Sequence, residues 1–328
     1  MPMLQVSDLH VTYQTPAGKA HAVNGVNLEV AAGETVGIVG ESGCGKSSLA
    51  RAVMRLLEPA SGRIMIGDID ATALPKNKLR PLRRRIQMVF QDPAASLDPR
   101  FTVGRLIGEP LTLTEKNRAA RDKRVRALMN DVGLPGELFD RYPHQLSGGQ
   151  RQRVAIARAI APGPDIIVLD EPVSALDVSL QAQVLNLLVD LQERYRLAYL
   201  FVSHDIGVVQ YMADRIAVMY LGRIVEIAPY ADMMELPLHP YTQALFQAVP
   251  IMDPHRSRIA NKQILAGDVP SPLNIPPGCA FHTRCRFATD HCRRTEPQLH
   301  PAGPERFVAC HLPSPAIENN NDLNDVSH

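Results

Sequence analysis

Short apolar runs in the amino-terminal part of the chain predict β-strands. Most of these runs alternate apolar and polar residues, which is typical of strands that bury one face, and the last is continuously apolar, as in a strand buried on both faces. The predicted strands cover residues 4–6, 10–13, 23–30 and 35–39. A helix is predicted from Lys46 to about Leu57, because Pro59 cannot continue it.

The apolar strand pattern gives way to a helical pattern in the middle of the chain and then resumes. Residues 115–132 are rich in Arg, Ala, Lys and Leu, so residues 100–140 are predicted to be a helical insertion. Buried strands and a helix with leucines at helical spacing follow, which predicts the second half of an α/β core. These strands cover residues 165–169, 198–202 and 215–218, and the helix covers residues 178–191.

The last part of the chain is rich in proline and cysteine. Prolines become frequent after about residue 250, which predicts an irregular region, and the polar residues 315–328 are expected to be disordered. Four of the five cysteines, Cys279, Cys285, Cys292 and Cys310, lie here. The predicted division is therefore 1–250 for the α/β domain, 251–314 for a small cysteine-containing domain and 315–328 for a tail.

Composition and charge exclude several classes of protein. The 328 residues are 45% hydrophobic, which is ample for a core, and the length suits one large domain with an appendage, or two domains. A net charge of +1 argues against nucleic acid as the main partner. No apolar run is long enough to span a bilayer, and the start lacks the features of a secretory signal. We therefore expect a cytoplasmic protein in a reducing compartment, where disulfides are disfavoured.

Residues 40–47, GESGCGKS, fit the phosphate-loop pattern G-x-x-x-x-G-K-[ST] between a predicted strand and a predicted helix. Glycines let the backbone wrap around a phosphate chain, and N–H groups at a helix start point at anionic oxygens. We expect Lys46 to reach the outer phosphates and Ser47 to ligate Mg²⁺. The loop residues predicted to bind ATP are Gly40, Glu41, Ser42, Gly43, Cys44, Gly45, Lys46, Ser47 and Ser48.

Two acidic residues end the buried strand at residues 165–169. The carboxyl end of such a strand lies beside the phosphate loop at the edge of a parallel sheet. Asp170 is therefore predicted to hold Mg²⁺, directly or through water. Glu171 is predicted to orient and polarise a water that attacks the outer phosphate.

Residues 146–150, LSGGQ, and the following RQRVAIARA resemble the signature of ATP-binding-cassette (ABC) ATPases. The resemblance covers residues 4–250 and implies an α/β fold with a RecA-like core, an antiparallel β subdomain and a helical signature subdomain at about residues 92–160. In this family two subunits dimerise, and the signature of one closes on the nucleotide held by the other. The signature residues are Leu146, Ser147, Gly148, Gly149 and Gln150.

The other family motifs are present in order. By resemblance, Tyr13 stacks on adenine, Gln91 senses the γ-phosphate and takes part in Mg²⁺ binding, and His204 stabilises the γ-phosphate. The dimer-contact loop is Ser174, Ala175, Leu176 and Asp177. The resemblance thus implies an ATPase with Glu171, His204 and Gln91 as catalytic residues, acting with a second identical or homologous ATPase subunit.

The carboxyl-terminal motifs narrow the resemblance. Residues 222–226 (GRIVE), 239–245 (HPYTQAL) and 270–285 look like those of ATPase subunits of dipeptide and oligopeptide permeases, a group that includes nickel importers. This implies ATP-driven import of peptides through two integral membrane subunits and an external solute-binding protein, with the chain at the cytoplasmic face of the inner membrane. The helical insertion is expected to dock the membrane subunit. Nickel or another small solute is the alternative cargo.

The four clustered cysteines are candidate metal ligands. From the residues alone, zinc, an iron–sulfur cluster and no metal stay open, because the spacing lacks the close cysteine pairs usual in zinc sites. The family resemblance implies a [4Fe–4S] cluster, with zinc as the alternative.

The sequence argues against two further classes of function. A soluble cassette ATPase acting on DNA or ribosomes typically has two cassettes or long coiled-coil arms, which this sequence lacks. The signature at residues 146–150 argues against a phosphate-loop kinase.

Overall fold

The fold combines two β-sheets with helices packed against them. The computed structural model describes residues 2–247 and 269–312. The strands are β1 (Leu4–Thr15), β2 (Gly18–Val30), β3 (Thr35–Val39), β4 (Ser61–Ile66), β5 (Ile69–Asp70), β6 (Ile86–Val89), β7 (Ile166–Asp170), β8 (Ala198–Val202), β9 (Arg215–Tyr220), β10 (Arg223–Pro229), β11 (His300–Gly303) and β12 (Arg306–Val308). The helices are α1 (Lys46–Val53), α2 (Leu82–Arg85), α3 (Pro93–Ser96), α4 (Val103–Gly108), α5 (Arg118–Asp131), α6 (Gly148–Ile160), α7 (Val178–Tyr195), α8 (Ile206–Met212), α9 (Tyr230–Glu235), α10 (Pro240–Gln247) and α11 (Asp290–Arg294).

The larger sheet has a parallel centre. Its strand order is β11-β12-β10-β9-β3-β8-β7-β6, in which β9, β3, β8, β7 and β6 are parallel. The smaller sheet, β2-β1-β4-β5, is antiparallel. The α/β fold with an antiparallel β subdomain that the sequence predicts is therefore confirmed.

The larger sheet is buried on both faces. Ile167 and Leu169 of β7 face the core shared with α4 to α8, whereas Ile166 and Val168 face the core shared with α1 and the antiparallel sheet. This explains why β7 reads as a continuous apolar run rather than as an alternating one.

The region around residues 92–160 is made of helices α3 to α6 joined by short 3-10 turns. Helix α6 packs against α3, α4 and α5 and also contacts β6 and α7. The signature segment therefore starts a helix that joins the helical region to the sheet.

Several elements differ from their predicted bounds: β2 begins at Gly18 rather than at residue 23, and α7 ends at Tyr195 rather than at residue 191. The helix predicted to reach Leu57 ends at Val53, because Arg55 takes a left-handed conformation, with φ of 52°, and its guanidinium donates a hydrogen bond to the carbonyl of Ala71. The two predicted strands at residues 4–13 are one strand, β1, whose register shifts around Asp8, with φ of 45°.

The carboxyl-terminal region shares the larger sheet. Strand β12 pairs antiparallel with β10, with Glu226 opposite Val308, and β11 pairs with β12. The predicted boundary at residues 250 and 251 and the predicted tail at 315–328 lie outside the described residues. In the part of the chain that the structure describes, none of the helices has the length and apolar character to cross a membrane.

Candidate nucleotide-binding site

The phosphate loop joins β3 to α1 and is packed too closely for side chains at two glycines. A Cβ at Gly40 would lie 2.2 Å from the carbonyl oxygen of Met219, and one at Gly45 would lie 2.0 Å from that of Ala22. Both glycines also have positive φ, of 152° and 108°. The loop therefore requires glycine at both positions.

The ammonium of Lys46 lies inside this loop. Its Nζ donates to the carbonyl oxygens of Gly40 at 2.8 Å and Glu41 at 3.0 Å, and the residue is only 6% exposed. A buried positive charge in a loop of backbone N–H groups favours binding of an anion such as a triphosphate.

Ser47, the last residue of the phosphate loop, contacts Asp170 at the end of β7. Ser47 Oγ donates to Asp170 Oδ1 at 3.0 Å, which brings together the end of β7 and the start of α1. Burial raises the pKa of Asp170, and the hydrogen bond from Ser47 partly opposes this. Hydroxyl and carboxylate oxygens are the donors that Mg²⁺ prefers, so the pair fits a magnesium site beside bound phosphates.

Glu171 connects the two other predicted catalytic residues. Its Oε2 accepts from Gln91 Nε2 at 2.7 Å, and its Oε1 lies 3.0 Å from His204 Nδ1. Glu171 itself is held at the end of β7 in a left-handed conformation, with φ of 49°, and its N–H donates to the carbonyl of Val202. Strained conformations of this kind cost on the order of 1–3 kcal/mol and cluster at functional sites.

A cavity opens over the phosphate loop. Tyr13 lies at its rim and its hydroxyl is 3.1 Å from Ser48 Oγ. The described residues that line this cavity are Tyr13, Ala20, Ala22, Ser42, Gly43, Gly45, Lys46, Ser47, Ser48, Glu171 and Pro272. The structure thus brings together a predicted base-stacking residue, the phosphate loop and the predicted general base. Cys44 is buried within the loop and is not among the described lining residues.

The signature is organised as a helix start. Ser147 caps α6 by accepting from the N–H of Gln150 at 3.2 Å, while Gln150 Oε1 accepts from the N–H of Ser147 at 2.9 Å. Leu146 is buried, whereas Gly148 lies close to Leu176. None of the signature residues is among the described residues that line the cavity over the phosphate loop.

The predicted dimer-contact loop joins this cavity to the signature. Ser174 Oγ donates to the carbonyl of Glu171 at 3.0 Å, and Asp177 caps α7 by accepting from the N–H of Leu180 at 2.9 Å. Between them, Ala175 is exposed and Leu176 packs against the apolar core. The loop therefore lies between Glu171, the predicted general base, and the start of α6.

Comparison with known proteins identifies two regions of the chain. Residues 23–174 match the family model described as ABC transporter, and residues 225–292 match the one described as oligopeptide/dipeptide transporter, C-terminal region. The oligopeptide transport ATP-binding protein AppF of Bacillus subtilis is 48% identical over 302 residues, which covers 92% of each chain. The chain belongs to the ABC transporter ATPase family, in the group with this C-terminal region.

Further relatives agree with this assignment. The di/tripeptide transport ATP-binding protein DppF of Pseudomonas aeruginosa is 48% identical over 316 residues, covering 94% of this chain and 97% of DppF. Among solved structures, the ATP-binding cassette MJ0796, in a dimeric post-hydrolysis state bound to ADP and Pi, is 32% identical with a TM-score of 0.64. That match covers 70% of this chain and 99% of MJ0796. The fold predicted from the ABC resemblance is thereby confirmed, and membership implies binding of ATP and Mg²⁺.

The four clustered cysteines of this ABC ATPase line one small cavity together with Phe281. Burial and the neighbouring thiols raise the pKa of Cys279 and of Cys310 to about 11, and burial also raises the pKa of Cys285. Within residues 2–247 and 269–312, however, no group of three or more His, Cys, Asp or Glu side chains is arranged to hold a metal ion. The thiols therefore share a cavity without forming a tetrahedral site for one ion such as zinc.

Three residues near the phosphate loop come from the carboxyl-terminal half and were missed by sequence reasoning. Arg284 pairs with the carboxylate of Glu41, Tyr241 accepts a hydrogen bond from the Glu41 N–H, and Pro272 lines the cavity. Arg284 and Glu41 are 243 positions apart, so no local pattern points to their contact. In the sequence, Arg284 is recognisable only as a basic residue directly before Cys285, and this position alone does not indicate a role.

Proposed function

We propose that this ABC ATPase hydrolyses ATP to drive import of dipeptides or oligopeptides through a membrane permease. The observation that carries the proposal is the presence, in one chain, of an ABC transporter region with its phosphate loop and of the C-terminal region found in oligopeptide/dipeptide transporters. The names of its relatives, AppF and DppF, support peptides as the cargo. No comparison favours nickel.

In the proposed reaction, the loop around Lys46 would hold the triphosphate, and the paired oxygens of Ser47 and Asp170 would hold Mg²⁺. Mg²⁺ would neutralise charge that develops on the phosphates. Glu171 orients and polarises the attacking water, while Gln91 and His204 position the Glu171 carboxylate and face the outer phosphate. Most of the rate enhancement then comes from positioning and charge stabilisation.

A second ATPase subunit, identical or homologous, completes the site. Ser147 and the glycines after it form a helix start that favours anions, yet they do not line the described cavity over their own phosphate loop. The dimeric state of MJ0796 supports the same arrangement here. ATP would therefore be held between the phosphate loop of one subunit and the signature of the other.

The helical region offers a groove for the membrane subunits. Phe101, Arg105 and Phe139 line it, and the guanidinium of Arg105 lies 3.5 Å from the centre of the Phe101 ring. A helix from a permease subunit is proposed to dock here. In this proposal the chain lies at the cytoplasmic face of the membrane, and an external binding protein delivers the peptide.

A [4Fe–4S] cluster is proposed for the four cysteines. The support for it is the family resemblance together with the cavity that the four thiols share; among the described residues, no group of three or more His, Cys, Asp or Glu side chains is already arranged to hold a metal ion. A cationic centre would also offset the cost of ionising thiols whose pKa burial has raised. When bound, it would hold together a region with many prolines and a small core.

Uptake by a reconstituted transporter tests the function. The full chain is purified with the membrane subunits that copurify with it and is placed in proteoliposomes with ATP, a labelled dipeptide, a labelled hexapeptide or nickel. We expect ATP-dependent peptide uptake that is abolished by Lys46→Ala. Nickel uptake without peptide uptake would contradict the assigned cargo.

A further inference from the structure

The carboxyl-terminal region holds the phosphate loop through Glu41. Arg284 Nη1 and Nη2 donate to the two carboxylate oxygens of Glu41 at 2.7 and 3.0 Å. The side chain of Arg284 is only 5% exposed and that of Glu41 is 25% exposed, so the pair is largely withdrawn from solvent. Two parallel hydrogen bonds of this kind fix orientation as well as distance.

The backbone of Glu41 is held from the same side. Its N–H donates to the hydroxyl of Tyr241 at 2.9 Å, and Tyr241 packs against Tyr220 and Phe281. Arg284 also lies over the Tyr220 ring, 5.9 Å from its centre. Both the side chain and the backbone of one loop residue are thus positioned by residues outside the phosphate-loop motif.

Glu41 is in turn connected to the lysine that binds phosphate. Its carbonyl accepts a hydrogen bond from Lys46 Nζ at 3.0 Å, so a shift of Glu41 moves a partner of the ammonium. An unpaired Glu41 carboxylate would also place a negative charge in the loop that receives the triphosphate. Arg284 removes this repulsion by neutralising the carboxylate.

We propose that Arg284 is a positioning residue for ATP binding, through which the cysteine-containing region controls the affinity of the phosphate loop for nucleotide. Arg284 precedes Cys285 in a turn closed by hydrogen bonds from its own N–H to Phe281 and from His282 to Cys279. A change at the cysteines that moves this turn therefore moves Arg284. By linkage, ATP binding stabilises the same arrangement of the turn.

A second contact supports the same control. Pro272 lines the same cavity as the phosphate loop residues, and its carbonyl accepts a hydrogen bond from the N–H of His21 in β2 at 3.3 Å. The carboxyl-terminal region therefore reaches the cavity near Tyr13 as well as the loop at Glu41. The proposal rests on the ATP site described above and does not depend on what the cysteines bind.

The test measures ATP binding and hydrolysis by variants of the full chain. For Arg284→Met we expect the Kd and KM for ATP to rise about 10-fold, equivalent to about 1.4 kcal/mol, while kcat stays within about twofold. Arg284→Lys keeps the charge but loses the paired geometry, so a smaller rise is expected. Arg286→Met is the matched control, because Arg286 is exposed two residues further along the chain and lies over Phe287.

A double variant separates positioning from general loss of structure. If Arg284 acts through Glu41, Glu41→Gln combined with Arg284→Met weakens ATP binding no more than Arg284→Met alone. Each Kd is calculated from the concentration of folded protein, which thermal melting measures for each variant. Equal ATP affinity in Arg284→Met and Arg286→Met, or full additivity of the two changes, overturns the proposal. Failure of the wild-type chain to bind ATP would instead contradict the proposed function.

Discussion

The side chain of Gln91 donates a 2.7 Å hydrogen bond to the carboxylate of Glu171, although 80 residues separate them. Gln91 lies between β6 and α3, where the sheet meets the helical region, and Glu171 follows β7 at the nucleotide cavity. In the proposed mechanism this contact connects the residue that polarises water to the region that docks the permease. Nucleotide state could thereby move the docking surface.

Replacement of Glu171 by glutamine should nearly abolish hydrolysis while leaving ATP binding intact. An amide keeps the shape of the side chain but cannot accept a proton from water, so kcat should fall by about 100-fold or more. Phosphate release gives the rate, and size-exclusion chromatography with ATP should show a stable dimer. Glu193→Gln, an exposed change on α7, is the control. A wild-type rate in Glu171→Gln would disprove the role of Glu171.

Binding of the proposed [4Fe–4S] cluster should depend on the cysteines of the carboxyl-terminal region. After anaerobic purification, we expect about four irons per chain with matching sulfide, and loss of most of both in Cys292→Ser. Cys44→Ser, which changes a buried cysteine in the phosphate loop, should keep the iron. Colourless wild-type protein, or full iron content in Cys292→Ser, would refute the cluster.

Acid should destabilise the fold through His239. Burial lowers the pKa of this histidine to about 3, from 6.5, and its Nδ1 accepts a hydrogen bond from the N–H of Tyr241. Below pH 6.5 the unfolded chain gains a proton that the folded chain takes up only near pH 3. The stability that neutral His239 allows is therefore fully present above pH 6.5. As the pH falls from 6.5 towards 3, this histidine lowers the free energy of unfolding by at most about 1.4 kcal/mol per pH unit.

Urea unfolding between pH 4 and 7 measures this contribution. In His239→Asn the free energy of unfolding should fall less steeply with acid than in the control His144→Asn, which changes an exposed ring. Identical slopes in the two variants would show that His239 is not kept neutral by the fold.

The sequence predicts the parts of the site that depend on local patterns. Residues 40–47 indicate both the phosphate loop and the strand and helix beside it, because glycine spacing, lysine and helix start are neighbours in the chain. The end of the helix at Val53 was missed, since it depends on the contact of Arg55 with Ala71. The ion pair between Arg284 and Glu41 depends on packing between distant parts of the chain. The residues next to either one in the sequence do not predict it.

The roles of the signature and of Glu171 in the complete site stay predictions that rest on dimerisation. Ser147 and the phosphate loop of the same chain do not share the described cavity. The sequence does not predict where Ser147 lies relative to the phosphate loop of its own chain. That placement depends on how contacts with α3, α4 and α5 position α6 against the sheet.

Mixing two inactive variants tests the shared site most directly. Starting from a wild-type preparation that hydrolyses ATP, Lys46→Ala removes the phosphate-binding charge and Ser147→Arg blocks the signature, so each variant alone should be inactive. In an equal mixture, mixed dimers contain one site with an intact loop from one subunit and an intact signature from the other. The account predicts that mixing restores up to about a quarter of the wild-type rate if the two sites act independently. An inactive mixture in which mixed dimers have been shown to form would contradict it.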